Sequence, residues 1–231
     1  MQKSETRALD MLRSVRLHGQ PRAAAFPANS RGGELYVSIN TGIGNIERLS
    51  GEQAEHERNF REASKRKDGA EDFLEDLMVS INRTARSMSR TTPGAEEKFR
   101  LPPNRDGEMW LAAARAFATA AEPLADEFVR RNMAPDLVDD LKARILAVTQ
   151  ADDAQAKAEN ARIEATADLA AAIRQGLEDV RELDAIVRNT YAGNEAELAA
   201  WESASHVERA PRHAGEEEEE PPAPPTPPAQ G

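Results

Sequence analysis

Four histidines and a set of neighbouring carboxylates are the residues with which this chain could do acid–base or metal chemistry. The histidines are His18, His56, His206 and His213. Two of them follow a glutamate by one helical turn: Glu52 precedes His56 and Glu202 precedes His206. Helical di-metal sites use Glu-x-x-His, a three-residue step, on two helices, with a glutamate from each of two more. Neither pair keeps that step, and His56 lies in a charged run that a solvated helix face explains. Asp72, Glu75 and Asp76 could act as acid and base if their surroundings separated their pKa values. They flank apolar positions and read as ordinary exposed carboxylates. With no cysteine in 231 residues, thiolate catalysis and cysteine-ligated metals are excluded. No Ser/His/Asp arrangement or other catalytic motif is present. The expectation is no enzyme, no catalytic residue, no cofactor and no metal.

Two further patterns bear on ligands. Thr41-Gly42-Ile43-Gly44-Asn45 before a helix hints at a phosphate cradle, but a P-loop needs lysine and Ser/Thr after its last glycine. Asn45-Ile46 supplies neither, so a hinge is expected there. Basic residues gather at Arg61, Lys65, Arg66 and Lys67, and again at Arg83, Arg86 and Arg90. The last three recur at steps of three and four, hence share one helix face, next to Arg100 and Arg105. Such a stripe could engage phosphates. The competing expectation is pairing with the acidic residues Glu178, Asp179 and Glu182. The net charge is −11, and the first 110 residues are almost neutral, so the acidity sits in the second half. That balance makes nucleic acid an unlikely partner for the chain as a whole.

The elements that must position these groups are helices. Low aromatic content (4%) and abundant alanine favour helix over sheet. The dominant stretch runs from 135 to 191, as one helix or two in line. Its apolar residues Leu137, Leu141, Ile145 and Val148, then Leu169, Ile173, Val180, Leu183 and Val187, recur at helical steps. The polar, alanine-rich window Thr149 to Arg162 between them is its least anchored part, the place for a break or a partner-binding surface. Before it, helices are expected over 4–18 (capped by Ser4), 45–89 and 107–132 (capped by Asp106), and after it a short one over 195–205. Leu35 to Ile39 has strand composition and reads as extended chain or a first helical turn. Phe73, with Leu74, Leu77, Ile81 and Met88, forms an expected core stripe. Trp110, Phe117 and Phe128 line another, with Met109 beside them. Pro123 should kink or break its helix near Glu122. Residues 89–106 read as loop.

From residue 206 the composition changes, and Glu216 to Glu220 precede a run rich in proline, so 206–231 is expected to be a disordered tail beside a domain over 1–205. Its PxxP spacing could dock in an aromatic groove, though a solubilising tail is the expected role. The N-terminus has no apolar core of a signal peptide and no window suits a membrane span, so a cytoplasmic chain with no membrane partner is expected.

The stretches Ser80–Met88, Glu97–Pro102, Ala112–Phe117 and Ala199–Arg212 together resemble a family of uncharacterised bacterial helical proteins. The resemblance implies a helical fold and carries no activity, cofactor or site residue. The fold expected is all-α, mainly an antiparallel bundle of four helices, two of them long, plus a short C-terminal helix. The long helices overhang the third, which favours coiled-coil pairing and a homo-oligomer. The function expected is a non-enzymatic scaffold or interaction protein whose partner is itself. The alternative is a nucleic-acid-associated protein using Arg83, Arg86, Arg90, Arg100 and Arg105.

Overall fold

The computed structural model describes residues 2–104 and 107–207, and it is all-α, with no strand among those residues. The expected cap Asp106, the cation Arg105 and the tail from residue 208 lie outside them. The helices are α1 (Lys3–Gly19), α2 (Arg31–Met88), α3 (Ala95–Lys98), α4 (Gly107–Ala121), α5 (Ala125–Val129), α6 (Leu137–Thr190) and α7 (Glu195–Ser205). Contacts divide the chain into two compact units. One comprises 41–176 and the other 2–40 with the chain from 177 onward, so α2 and α6 each contribute to both.

Several expectations need correction. Gln2, not Ser4, precedes the first helix, and its backbone N–H donates to Glu5 Oε2 at 2.6 Å. The second helix starts at Arg31 rather than 45. Ser30 caps it, its Oγ accepting from Gly33 N at 3.1 Å, a signal the sequence carried. Leu35 and Ile39 are buried on one side of this helix. Burial of that helical stripe overrides the strand-like composition. Gly42 and Gly44 are therefore helix interior rather than a loop before a helix. The sixth helix begins at Leu137, two residues past Pro135, and passes through 149–162 without a break. A short helix, α3, interrupts the expected loop after the Thr92-Pro93-Gly94 turn, where Gly94 takes φ 82°. Pro123 does break its helix: a 3-10 turn, Glu122–Leu124, separates α4 from α5. Asn132 ends the segment with a left-handed φ of 60°.

In the unit of 41–176, a core joins Leu74, Met78, Ile81, Ala85 and Met88 of α2 to Phe99, Trp110, Phe117, Phe128, Leu141 and Ile145. Phe99 meets Phe117 and Phe128 edge to face, each at 5.3 Å. The Asn82 amide donates to the Phe99 carbonyl at 2.6 Å, pinning the α3 segment to α2. Two members of the expected stripes are not core: Phe73 is 66% and Met109 51% exposed. Both Phe73 and Leu74 cannot face the same neighbour, because consecutive helical residues are about 100° apart, and Leu74 takes the inner place.

In the unit of 2–40 and 177 onward, α1 and α7 pack on the start of α2 and the end of α6. Leu12, Val15, Leu35, Ile39, Leu183, Val187 and Trp201 are fully or almost fully buried. Gly193, at φ 84°, turns the chain out of α6. The Asn194 side chain then caps α7 by accepting from Glu197 N. The expected bounds of that helix are those observed.

Candidate interaction surfaces

Three groupings of polar residues deserve the question of what they could do. In the unit of 2–40 and 177 onward, Arg7, Asp10, Met11, Ser14, Glu202, Ser203 and His206 line a cleft of about 540 Å³. It contains the expected Glu202/His206 pair and two serines. The groups are otherwise engaged, however. Ser14 donates to the Asp10 carbonyl at 3.0 Å, the Asp10 carboxylate binds Arg13 at 3.1 Å, and Glu202 binds Arg188 at 3.3 Å. Ser14 thus shows no hydrogen bond to a base, the first requirement of an activated nucleophile.

In the same unit His18 is buried, with Nδ1 3.0 Å from the Tyr36 hydroxyl and its ring 5.2 Å from Trp201, edge to face. Arg22 donates to the His18 carbonyl at 2.8 Å and to Glu197 at 2.6 Å. Trp201 donates Nε1 to Asp184 at 2.7 Å. Burial, and secondarily the Arg22 charge, hold His18 below its ordinary pKa, with Glu197 opposing. Burial raises the Tyr36 hydroxyl. Sequence reasoning had no signal for this cluster, since its members come from four separate segments. It locks α7 in place through the ring of Trp201.

The cations Arg83, Arg86, Arg90 and Arg100 are all exposed. Arg86 lies 3.6 Å from Glu96. Of the acidic residues named as their alternative partners, Glu182 binds Arg31 at 2.6 Å and Asp179 accepts from Ser38 at 2.6 Å. The metal-ligand types show no gathering of three or more among the described residues. No helix among them is long and apolar enough to cross a membrane.

The third grouping is the contact line of α2 and α6 within 41–176. Gln53 reaches Thr166 at 3.3 Å, Arg162 lies 3.8 Å from Glu57, Gln155 donates to Ser64 at 3.1 Å, and Lys67 meets Asp152. Each step up α2 is matched by an equal step down α6, so the helices are antiparallel and in one register. On α2 the facing residues alternate at steps of three and four, from Ile43, Ile46, Ser50, Gln53, Glu57, Phe60, Ser64 and Lys67 to Leu74, Met78 and Ile81. The line is apolar at 43–46 and again from 74, and polar between except for Phe60. Arg162 also stacks over the Phe60 ring at 5.2 Å. The window Thr149 to Arg162, where a break was one expectation, is continuous helix and meets α2 through these contacts.

The two flanks of this line differ. On one, Asn82 holds Phe99 and Lys142 holds Glu122 at 2.6 Å, so the α3–α5 segment covers it. On the other, a groove of about 520 Å³ is lined by Lys65, Arg66, Gly69, Ala70 and Phe73 of α2 with Arg144 and Ala147 of α6. Along α6 the same flank continues as Ala151, Ala154, Ala158 and Ala161. The alternating steps of three and four could have located Phe73 here, since it falls outside the facing positions. No protein-family model matches the chain, and neither a curated protein nor a solved structure matches it.

Proposed function

We propose that the chain acts through its surfaces as a helical scaffold, without catalysis or a cofactor, and that α2 and α6 pair as an antiparallel coiled coil. The observation that carries this reading is the unbroken course of two helices of 58 and 54 residues, in register across a polar stretch with little apolar burial of its own. In proteins most helical stability comes from packing of an amphipathic face. Their outward residues here, Phe73, Leu146 and Ile163, are each more than half exposed. An exposed aromatic in a groove between two helices offers a docking position for another helix.

The test is a photo-reactive phenylalanine analogue in place of Phe73 in the producing cells, with Arg61, on the opposite flank, as control. Protein adducts at 73 in clear excess over those at 61 are expected. Equal yields from both would overturn the reading.

A second reading is nucleic-acid association at Arg83, Arg90 and Arg100, favoured by one observation: no carboxylate of the described residues lies within ion-pair distance of them. Its test is a binding titration in low salt. Affinity should fall steeply with added salt and with Arg→Glu changes there, and a flat response removes it.

A further inference from the structure

The Phe73 groove has a charge pattern that selects its occupant. We propose that a second copy of this chain occupies it, the two copies related by a two-fold axis that crosses the groove near residues 59–63 of α2. This rests on the reading that the outer faces of α2 and α6 are working surfaces, and it names the partner.

Around Phe73 the groove wall is basic, with Lys65, Arg66 and Arg144. Arg144 is tied to this level because it donates to the Phe73 carbonyl. On the same side, 10–14 residues before Lys65 and Arg66 on α2 and hence ~15–21 Å along the axis, stand Glu52 and Glu55. The Gln53–Thr166 hydrogen bond sets Glu164 and Asp168 of α6 at that second level. One face thus carries a basic end and an acidic end. A two-fold axis between them brings basic to acidic twice, as an isologous interface requires. The alanines of α6 between the ends are small enough for close approach of helices. Each copy's Phe73 then lies over Ala172 of the other.

The existing ion pairs on this face, Arg66–Glu62 at 3.6 Å, Arg144–Asp140 at 3.0 Å and Arg48–Glu52, are all one-turn contacts. Exposed pairs of this kind hold their partners weakly, so they do not forbid exchange across an interface. Residues 49–73 span about 37 Å, and a face two helices wide covers roughly 700 Å² per copy. That is close to the ~800 Å² per partner of a stable complex. The chain's net charge of −11 opposes self-association at long range, so matched ends are needed to align the copies.

The test uses the full chain, which has no cysteine of its own. Asn59→Cys places a thiol beside the axis, and Arg61→Cys places one on the opposite flank. Under mild oxidation the first should give a disulfide-linked dimer and the second should not. Light scattering across a dilution series should show the mass of two chains at the concentrated end. Lys65→Glu with Arg66→Glu should weaken association at least tenfold, and Glu164→Lys with Asp168→Lys added to that variant should restore it. All of these positions are exposed, so an unchanged helical circular dichroism signal is expected. A monomer at every concentration, equal cross-linking of the two cysteine variants, or charge reversal without effect would each overturn the proposal. Adducts at residue 73 made with other proteins only would overturn the second copy while leaving the scaffold reading intact.

Discussion

Arg144 of α6 donates a guanidinium hydrogen bond to the backbone carbonyl of Phe73 on α2, while the Phe73 side chain is left largely in solvent. The contact fixes the two helices to each other at the level where the groove opens. It also separates the backbone role of residue 73, which is structural, from its side chain, which is not.

That separation is measurable. Phe73→Ala should change the unfolding free energy of the chain by less than about 0.5 kcal/mol, as surface substitutions do. Leu74→Ala, one residue on and fully buried, should cost about 2–5 kcal/mol. Urea denaturation of the two variants at low protein concentration checks this, and comparable losses would mean that Phe73 is core after all.

Two glycines of α2 should respond with opposite sign. A Cβ on Gly51 meets nothing within 4 Å, whereas one on Gly33 would come 2.1 Å from the Pro27 carbonyl oxygen. Gly51→Ala should therefore raise stability by about 0.5–1 kcal/mol through helix propensity. Gly33→Ala should lower it, because backbone must move. Thermal melts decide the matter, and a gain from Gly33→Ala would contradict the observed approach of the Phe26–Pro27 turn to the helix.

His18 makes the chain sensitive to acid. Its folded pKa lies below the ordinary 6.5, so between those two values the unfolded chain binds more protons than the folded one. The stability that the neutral ring contributes is complete above pH 6.5 and declines as the pH falls toward the folded value. The groups around it are Tyr36 on α2, Arg22 after α1, and Glu197 and Trp201 on α7. Protonation would add a positive charge near Arg22 and leave Nε2, which has no partner, with a buried unpaired N–H. Hydrogen exchange of α7 amides should quicken as the pH is lowered from 7 toward 5, after correction for intrinsic rates. His18→Phe should lose that acceleration, and an identical acceleration in the variant would assign the effect elsewhere.

The polar stretch of the α2–α6 contact line should be its softest part. Gln155 and Ser64 meet through one hydrogen bond at 3.1 Å between half-buried side chains. Replacing both with leucine exchanges that bond, worth about 1 kcal/mol, for apolar contact. The double variant should gain about 1–2 kcal/mol, with slower amide exchange over 53–67 and 152–166. No gain would show that the helices are held there by the ion pairs alone.

Much of the fold could be read along the chain. The steps of three and four placed the inner faces of α1, α2 beyond residue 74, α4 and α6. Pro123 marked the break, Gly193-Asn194 marked the end of α6, and the bounds of α7 followed from local chemistry. These features depend on neighbours within a turn or two, and sequence reports such neighbours directly. The start of α2 was missed because Leu35–Ile39 looks like strand in isolation, although Ser30 held the capping signal.

Tertiary structure alone decided which stripe residues were covered and which polar groups met. Phe73 and Leu74 are equally apolar, and only the position of α6 and of the α3–α5 segment settles that the second is core and the first is surface. The same holds for Arg31 with Glu182, and for His18 with Tyr36 and Trp201, whose members are far apart in the chain. Helical periodicity tells which residues share a face. It does not tell what lies opposite that face, because that depends on the register of one helix against another. Here the equal steps from Gln53–Thr166 to Lys67–Asp152 set that register, and it leaves Phe73 uncovered beside Lys65, Arg66 and Arg144.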